Sequence, residues 1–230
     1  FWIDYAQGFY KVMERIRAKY PDVLIQACAS GGGRVEYGAL KYFDEVWTSD
    51  NTEALSRARI QYGTSLFYPA VVMGSHVSAT PNHQTGNITP IKFRFDMACA
   101  GRLGMELQPR QMTDEERQFA RRAIASYKEY RDIVMQGDLY RIGLMYVSKD
   151  RKQAVLFTYS LRYQGRSLIP KFRLQGLDPK TGYTIRELNV DKSRNWFDGK
   201  TFSGEMLSHA GINPSKPKIY DSGVFLLTAE

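Results

Sequence analysis

Two rhythms of apolar positions divide the chain near residue 137. Before it, short continuous apolar runs alternate with stretches at helical spacing; after it, apolar residues fall in strand-like runs parted by turn residues. Tyr5, Phe9, Val12, Met13, Ile16 and Tyr20 lie at helical spacing, and the sequence "YPD" closes that helix. "VLIQAC" (23–28) and "LFYPAVVMGSHVSA" (66–79) read as strands buried on both faces, "EVWTS" (45–49) as another strand, and "RLGMEL" (102–107) as a fourth. Between them, "VEYGALKYF", "EALSRARIQYG" and "IKFRFDMACAG" are predicted helices, the second with Asn51 or Thr52 as its cap. Thr113 and Glu116 form a capping box for a long helix reaching about Met135.

Strands alternating with helices imply a parallel sheet, and three or four such units make half of an eight-fold barrel. From residue 138, "LMYVSK", "QAVLFTYSL", "SLIPKFRLQGL", "YTIRELNV", "TFSGEML" and "SGVFLLTAE" are predicted strands, separated by "KD", "DPKTG" and "NPSKP" turns. The predicted fold class is therefore α/β: part of a (β/α)8 barrel over residues 1–137, then an antiparallel β-sandwich over 138–230.

Composition agrees with a packed protein, since 43% of the 230 residues are hydrophobic and 13% aromatic. The net charge of +8 does not point to nucleic acid, because basic and acidic residues are interspersed. The densest basic stretch, 116–131, reads as the solvated face of a helix. Cys28 and Cys99 fit neither a disulfide framework nor a zinc site. No metal, cofactor or membrane partner is expected, there being no apolar run of about eighteen residues. The chain opens in mid-pattern on Phe1, as a piece of a longer polypeptide would.

Chemistry-bearing residues gather after the first three predicted strands. "CASGGGRVEYG" follows the first, but it lacks the Lys-Ser/Thr of a phosphate loop and the spacing of a dinucleotide fingerprint. Gly31–Gly33 then serve either as a turn or as a wall where backbone approaches a ligand closely. Asp50, behind Trp47 in "EVWTSD", reads as a general acid, a helix cap or a solvated loop residue. Trp47 is either core or a stacking platform. His76 and His83 have no spacing suited to a metal pair, and no Gly-x-Ser-x-Gly elbow supports a serine triad. Glycines, a thiol, an arginine, a carboxylate and an aromatic at neighbouring strand exits are the mixture a sugar pocket needs.

The stretches "CASGGGRVEYG", "VWTSDNTEALSRARIQYGTSLFYP", "MGSHVSATPNHQTG" and "FDMACAGRLGMEL" resemble successive motifs of the α-galactosidases of glycoside hydrolase family 36, and "SYKEYRDIVMQGDLYRI" resembles part of its carboxyl-terminal portion. The ending "SGEMLSHAGI…YDSGVFLL" resembles the same family's carboxyl-terminal portion. The resemblance implies the later strands of a catalytic barrel followed by a β-domain. It also implies a retaining double displacement on terminal α-1,6-linked galactose, as in melibiose or raffinose. The family's acid/base aspartate matches Asp50, and its galactose-lining cysteine and glycine match Cys28 and Gly31. Arg34 and Trp47 are the further substrate-binding candidates. A homo-oligomer of the full-length enzyme, with an α-galactoside as its small-molecule partner, follows from the same likeness.

The chain departs from the family at Glu36, usually aspartate, and at Asn51 and Glu53 in the motif containing Asp50. Nothing in residues 1–27 matches the nucleophile's strand, so that carboxylate is expected outside the chain. Two other outcomes stay open at this stage: a galactosyl transferase of the raffinose-synthase type, and a non-catalytic carbohydrate-binding relative.

Overall fold

The computed structural model describes residues 1–141, 143–161, 171–214 and 218–230. Helix α1 (Trp2–Lys19) leads into strand β1 (Gln26–Ala27), followed by α2 (Tyr37–Leu40), β2 (Glu45–Trp47) and α3 (Ala54–Thr64). Strand β3 (Met73–Ser78), α4 (Ile91–Ala98), β4 (Arg102–Glu106) and the long α5 (Asp114–Gln136) complete the first part. The four strands form one parallel sheet in the order β1-β2-β3-β4, as consecutive units of a barrel do. Gln26 pairs with Glu45, Val46 with Met73, and Gly74 to Ser78 with Arg102 to Glu106.

Strand β1 is shorter than the apolar run 23–28 predicts, and Leu24 is 75% exposed. Pairing continues for one residue by a side-chain substitute: Asp44 accepts a hydrogen bond from the Ile25 amide at 2.8 Å, and the Asp44 amide donates to the Ile25 carbonyl. Arg17 of α1 pairs with that Asp44 carboxylate. Strand β3 likewise begins at Met73, later than the run from Leu66 predicts. Pro69 has no N–H for a ladder and opens a 3-10 turn over Ala70–Val72 instead.

The second part is a six-stranded antiparallel sheet of β5 (Asp138–Tyr140), β6 (Leu144–Val147), β7 (Gln153–Tyr159), β8 (Gly182–Leu188), β9 (Lys200–Ser203) and β10 (Ser222–Ala229). Its order is β5-β6-β7-β10-β8-β9, with β10 paired along its length to both β7 and β8. One face, through Tyr146, Val155, Phe157 and Val224, shares a core with Tyr127, Tyr130 and Ile133 of α5 and Phe95 of α4. The other face, through Met145, Leu156, Tyr183 and Phe225, is covered by Leu174, Leu177, Phe197, Leu207 and Ile212. Among the described residues, the layer opposing the sheet is thus loops and one short helix, where a sandwich would have a second sheet.

Two predicted strands are corrected. In "TFSGEML" the strand stops at Ser203, whose hydroxyl accepts from the Met206 amide at 3.2 Å and caps helix α6 (Gly204–His209). In "SLIPKFRLQGL" residues 167–170 lie outside the described residues, and 171–177 make only an isolated bridge between Phe172 and Ile212. The long helix follows its sequence signal closely: Thr113 caps α5, with Glu116 completing the capping box.

Candidate active site

The segment after β2 is a chain of local turns in which side chains hold backbone. Ser49 Oγ accepts from the Asn51 amide at 3.1 Å, and Asn51 Oδ1 accepts from the Glu53 amide at 3.0 Å. Glu53 Oε1 and Oε2 accept from the amides of Leu55 at 3.0 Å and Ser56 at 2.7 Å, so Glu53 is the cap of α3. This corrects the expectation of Asn51 or Thr52 as the cap, and it assigns to Glu53 the capping role that the sequence also offered to Asp50. A glutamate fits because its longer side chain can fold back onto the first turn, where orphan amides and the helix dipole favour a carboxylate. Thr52 bonds sideways to the next strand exit: its carbonyl accepts from Ser78 Oγ at 2.6 Å, and its Oγ1 from Asn82 Nδ2 at 3.2 Å.

The outcome is selective. Ser49, Asn51, Thr52 and Glu53 all have engaged side chains, while the Asp50 carboxylate is exposed and makes no hydrogen bond or ion pair among the described residues. The backbone that carries it is walled on one side by the glycine loop after β1. Gly31 has φ +71°, and a Cβ there would lie 2.6 Å from the Asp50 amide nitrogen and 2.9 Å from Ser49 Cα. No L side chain fits both the conformation and the space, so glycine at 31 is what lets the two strand exits touch. On the other side, Gln84 Nε2 donates to the Asp50 carbonyl at 2.8 Å.

Cys28 is exposed at the end of β1, and its carbonyl accepts from Arg34 Nη1 at 3.3 Å. The Arg34 guanidinium also sits 4.5 Å from the centre of the Phe9 ring. These two contacts hold Arg34 between its own loop and α1. Trp47, a candidate stacking platform by sequence, is only 7% exposed. Its ring lies 4.4 Å from the His76 ring and 5.0 Å from the Arg57 guanidinium, so in this chain it backs the site and offers no broad open face.

Arg57 is buried with those rings and acts as a rivet between strand ends. Its Nη1 donates to the Ser49 carbonyl at 3.3 Å and its Nη2 to the Gly74 carbonyl at 2.9 Å. Burial pulls its guanidinium down to about 10, still charged at neutral pH, with distant Glu106 opposing the shift. His76, on β3 itself, is held below its ordinary value by burial, against the opposing pull of Glu45 and Glu106. His83 stands exposed on the loop beyond, and the two histidines are not brought into a metal-binding group among the described residues.

Sequence reasoning brings forward Asp50, Cys28, Gly31, Arg34 and Trp47, and the fold places them on the adjoining exits of β1 and β2. It misses Glu53, Arg57 and Gln84. Glu53 was legible as an acid at a helix start; Gln84 was not, because its contact spans 34 residues and leaves no local pattern.

The Melibiase family model matches residues 3–137, and the Glycosyl hydrolase family 36 C-terminal domain model matches residues 141–227. Probable alpha-galactosidase C of Aspergillus flavus is 40% identical over 235 residues, which cover 97% of this chain and 30% of that protein. The bifunctional alpha-galactosidase/sucrose kinase AgaSK of Mediterraneibacter gnavus is 39% identical, over 98% of this chain and 24% of its own. Among solved structures, the galactosidase domain of AgaSK superposes with a TM-score of 0.90 at 39% identity, covering 99% of this chain and 32% of that one. A variant of alpha-galactosidase AgaA from Geobacillus stearothermophilus, in complex with raffinose, gives 0.86 at 35% identity over 97% and 31%. The chain spans about 30% of the length of such relatives.

Proposed function

The chain belongs to the melibiase family, glycoside hydrolase family 36, and from that premise we infer that it forms part of a retaining α-galactosidase acting on terminal α-1,6-linked galactose. The observation that carries the reading is the Asp50 carboxylate, the one side chain of the turn from Ser49 to Glu53 left without a partner. A carboxyl used only to hold structure would be bonded like its neighbours; a proton-transfer group has to be free to meet substrate.

In this mechanism Asp50 protonates the departing glycosidic oxygen while a second carboxylate, from a barrel strand outside residues 1–230, attacks the anomeric carbon. Asp50 then takes a proton from the water that opens the galactosyl-enzyme. The retaining geometry requires the two carboxyl groups about 5–5.5 Å apart. Cys28 and the Gly31 backbone crowd the galactose near its 2-hydroxyl, and Arg34 serves the sugar or the second carboxylate. Trp47 gives the pocket a rigid apolar back. Residues 1–137 supply the barrel share of this site and 138–230 the domain that buttresses it.

Raffinose and stachyose are the ligands named in the solved complexes of AgaA variants, and galactosides of that kind are the substrates proposed here. The test is hydrolysis of melibiose by the full-length protein, followed by proton NMR from the first minutes. Galactose appearing first as the α-anomer is expected; β-galactose appearing first would rule out double displacement.

A further inference from the structure

Gln84 has no chemistry of its own in glycoside hydrolysis, yet its amide holds both peptide groups that bracket the residue after Asp50. We propose that Gln84 is a positioning residue for the Asp50 carboxylate, an inference that rests on the acid/base reading above. Its Nε2 donates to the Asp50 carbonyl at 2.8 Å, and its Oε1 accepts from the Thr52 amide at 3.1 Å. One planar amide thereby uses its donor and its acceptor on the same turn, as a neighbouring strand would.

The consequence for Asp50 is geometric. Gly31 walls the Asp50 amide side closely, and Gln84 fixes the Asp50 carbonyl, so its backbone is confined on one side and bonded on the other. The direction of its Cβ is then set, and only the short side chain remains to rotate. The loop that delivers Gln84 is anchored in turn by buried Asn82. Asn82 Oδ1 accepts from the amides of Gln84 at 3.0 Å and Thr85 at 3.2 Å, and its Nδ2 donates to Thr52 Oγ1 at 3.2 Å. The exit of β3 thus grips the exit of β2 at Thr52 and at Asp50, which makes the acid's position a property of two strands.

Gln84 is exposed, so its two hydrogen bonds matter little to folding and are better placed to affect rate. Proton transfer works only within hydrogen-bond reach of the leaving oxygen, and a misplacement of about 1 Å can cost about a hundredfold. The loss should fall on substrates that need the proton.

The experiment compares Gln84→Met, Gln84→Glu and Asp50→Ala in the full-length protein, using a galactoside with a sugar leaving group and one with an activated aryl leaving group. Gln84→Met keeps the length of the side chain and removes both bonds. Its kcat/KM on the sugar galactoside, which reports the proton-requiring first step, is expected to fall about tenfold to a hundredfold, with Tm little changed and kcat/KM on the aryl galactoside much less affected. Gln84→Glu, which keeps the acceptor for Thr52 but sets an oxygen against the Asp50 carbonyl, should show the same split and covers the case in which the methionine variant folds poorly. Equal losses of kcat/KM on both substrates, or none on either, overturn the positioning role. If Asp50→Ala shows the split and the Gln84 variants do not, the positioning role alone fails; if Asp50→Ala lacks it, the acid/base reading falls as well.

Discussion

At the scale of single residues, a small set of side chains turns an acidic loop into a presented carboxylate. Gly31 allows contact between strand exits, Arg57 ties the Ser49 and Gly74 carbonyls together, and Glu53 takes the capping role. The aromatic wall they support has its own pH signature through His76. Its neighbours are the Trp47 ring, the Arg57 cation, which opposes protonation, and Glu45 and Glu106, which favour it; burial outweighs the acids and holds its pKa below the ordinary 6.5. The unfolded chain therefore takes up this proton more readily than the folded one. The stability from neutral His76 is complete above about pH 6.5 and is lost as pH falls toward the lowered folded value. His76→Gln should accordingly lose less Tm than the parent protein between about pH 7.5 and 5; parallel Tm curves would show that the histidine titrates alike in both states. Asp50 and Cys28 were readable as candidates because their residue types carry the chemistry. Arg57 was not, since an arginine in a short helix looks solvated until a tryptophan from a strand is seen against it.

At the scale of elements, capping and turn chemistry decided where sequence reading held. The α5 capping box and the paired runs of β7, β8 and β10 are local signals strong enough to survive in the fold. The boundaries that moved did so for tertiary or local reasons. Strand β1 shortened where β2 offered it only a two-residue ladder, β3 was delayed by Pro69, and the Ser203 hydroxyl converted the end of a predicted strand into α6. The start of α3 is the element that bears on chemistry, because it sets the end of the Asp50 turn. Glu53→Ala removes two acceptors from its first turn and should cost about 1 kcal/mol, measured as a lower urea midpoint with an unchanged slope. An unchanged midpoint would mean that the α3 amides are satisfied without Glu53.

At the scale of the whole molecule, the parallel and antiparallel sheets are joined through one core. Lys92, Asn189 and Ser222 converge on the buried Asp96 carboxylate, linking α4 to the end of β10, while α5 lies across β6 and β7. The six-stranded sheet thus braces the helices that stand behind β3 and β4, and through them the strand exits. The four-stranded sheet has β1 and β4 as its edges, the positions at which further barrel strands would pair. In the proposed reaction the second carboxylate belongs to such a strand, and Asp50 is the other half of the pair. That assignment is tested most directly by the full-length Asp50→Ala protein, given an activated aryl α-galactoside with and without azide. Without its acid/base the enzyme should lose about a hundredfold to ten-thousandfold on sugar leaving groups. It should still form the galactosyl-enzyme from the aryl substrate, and azide should restore turnover with α-galactosyl azide as the product. The β-azide would instead identify Asp50 as the nucleophile, and no rescue with equal loss on all substrates would contradict the account.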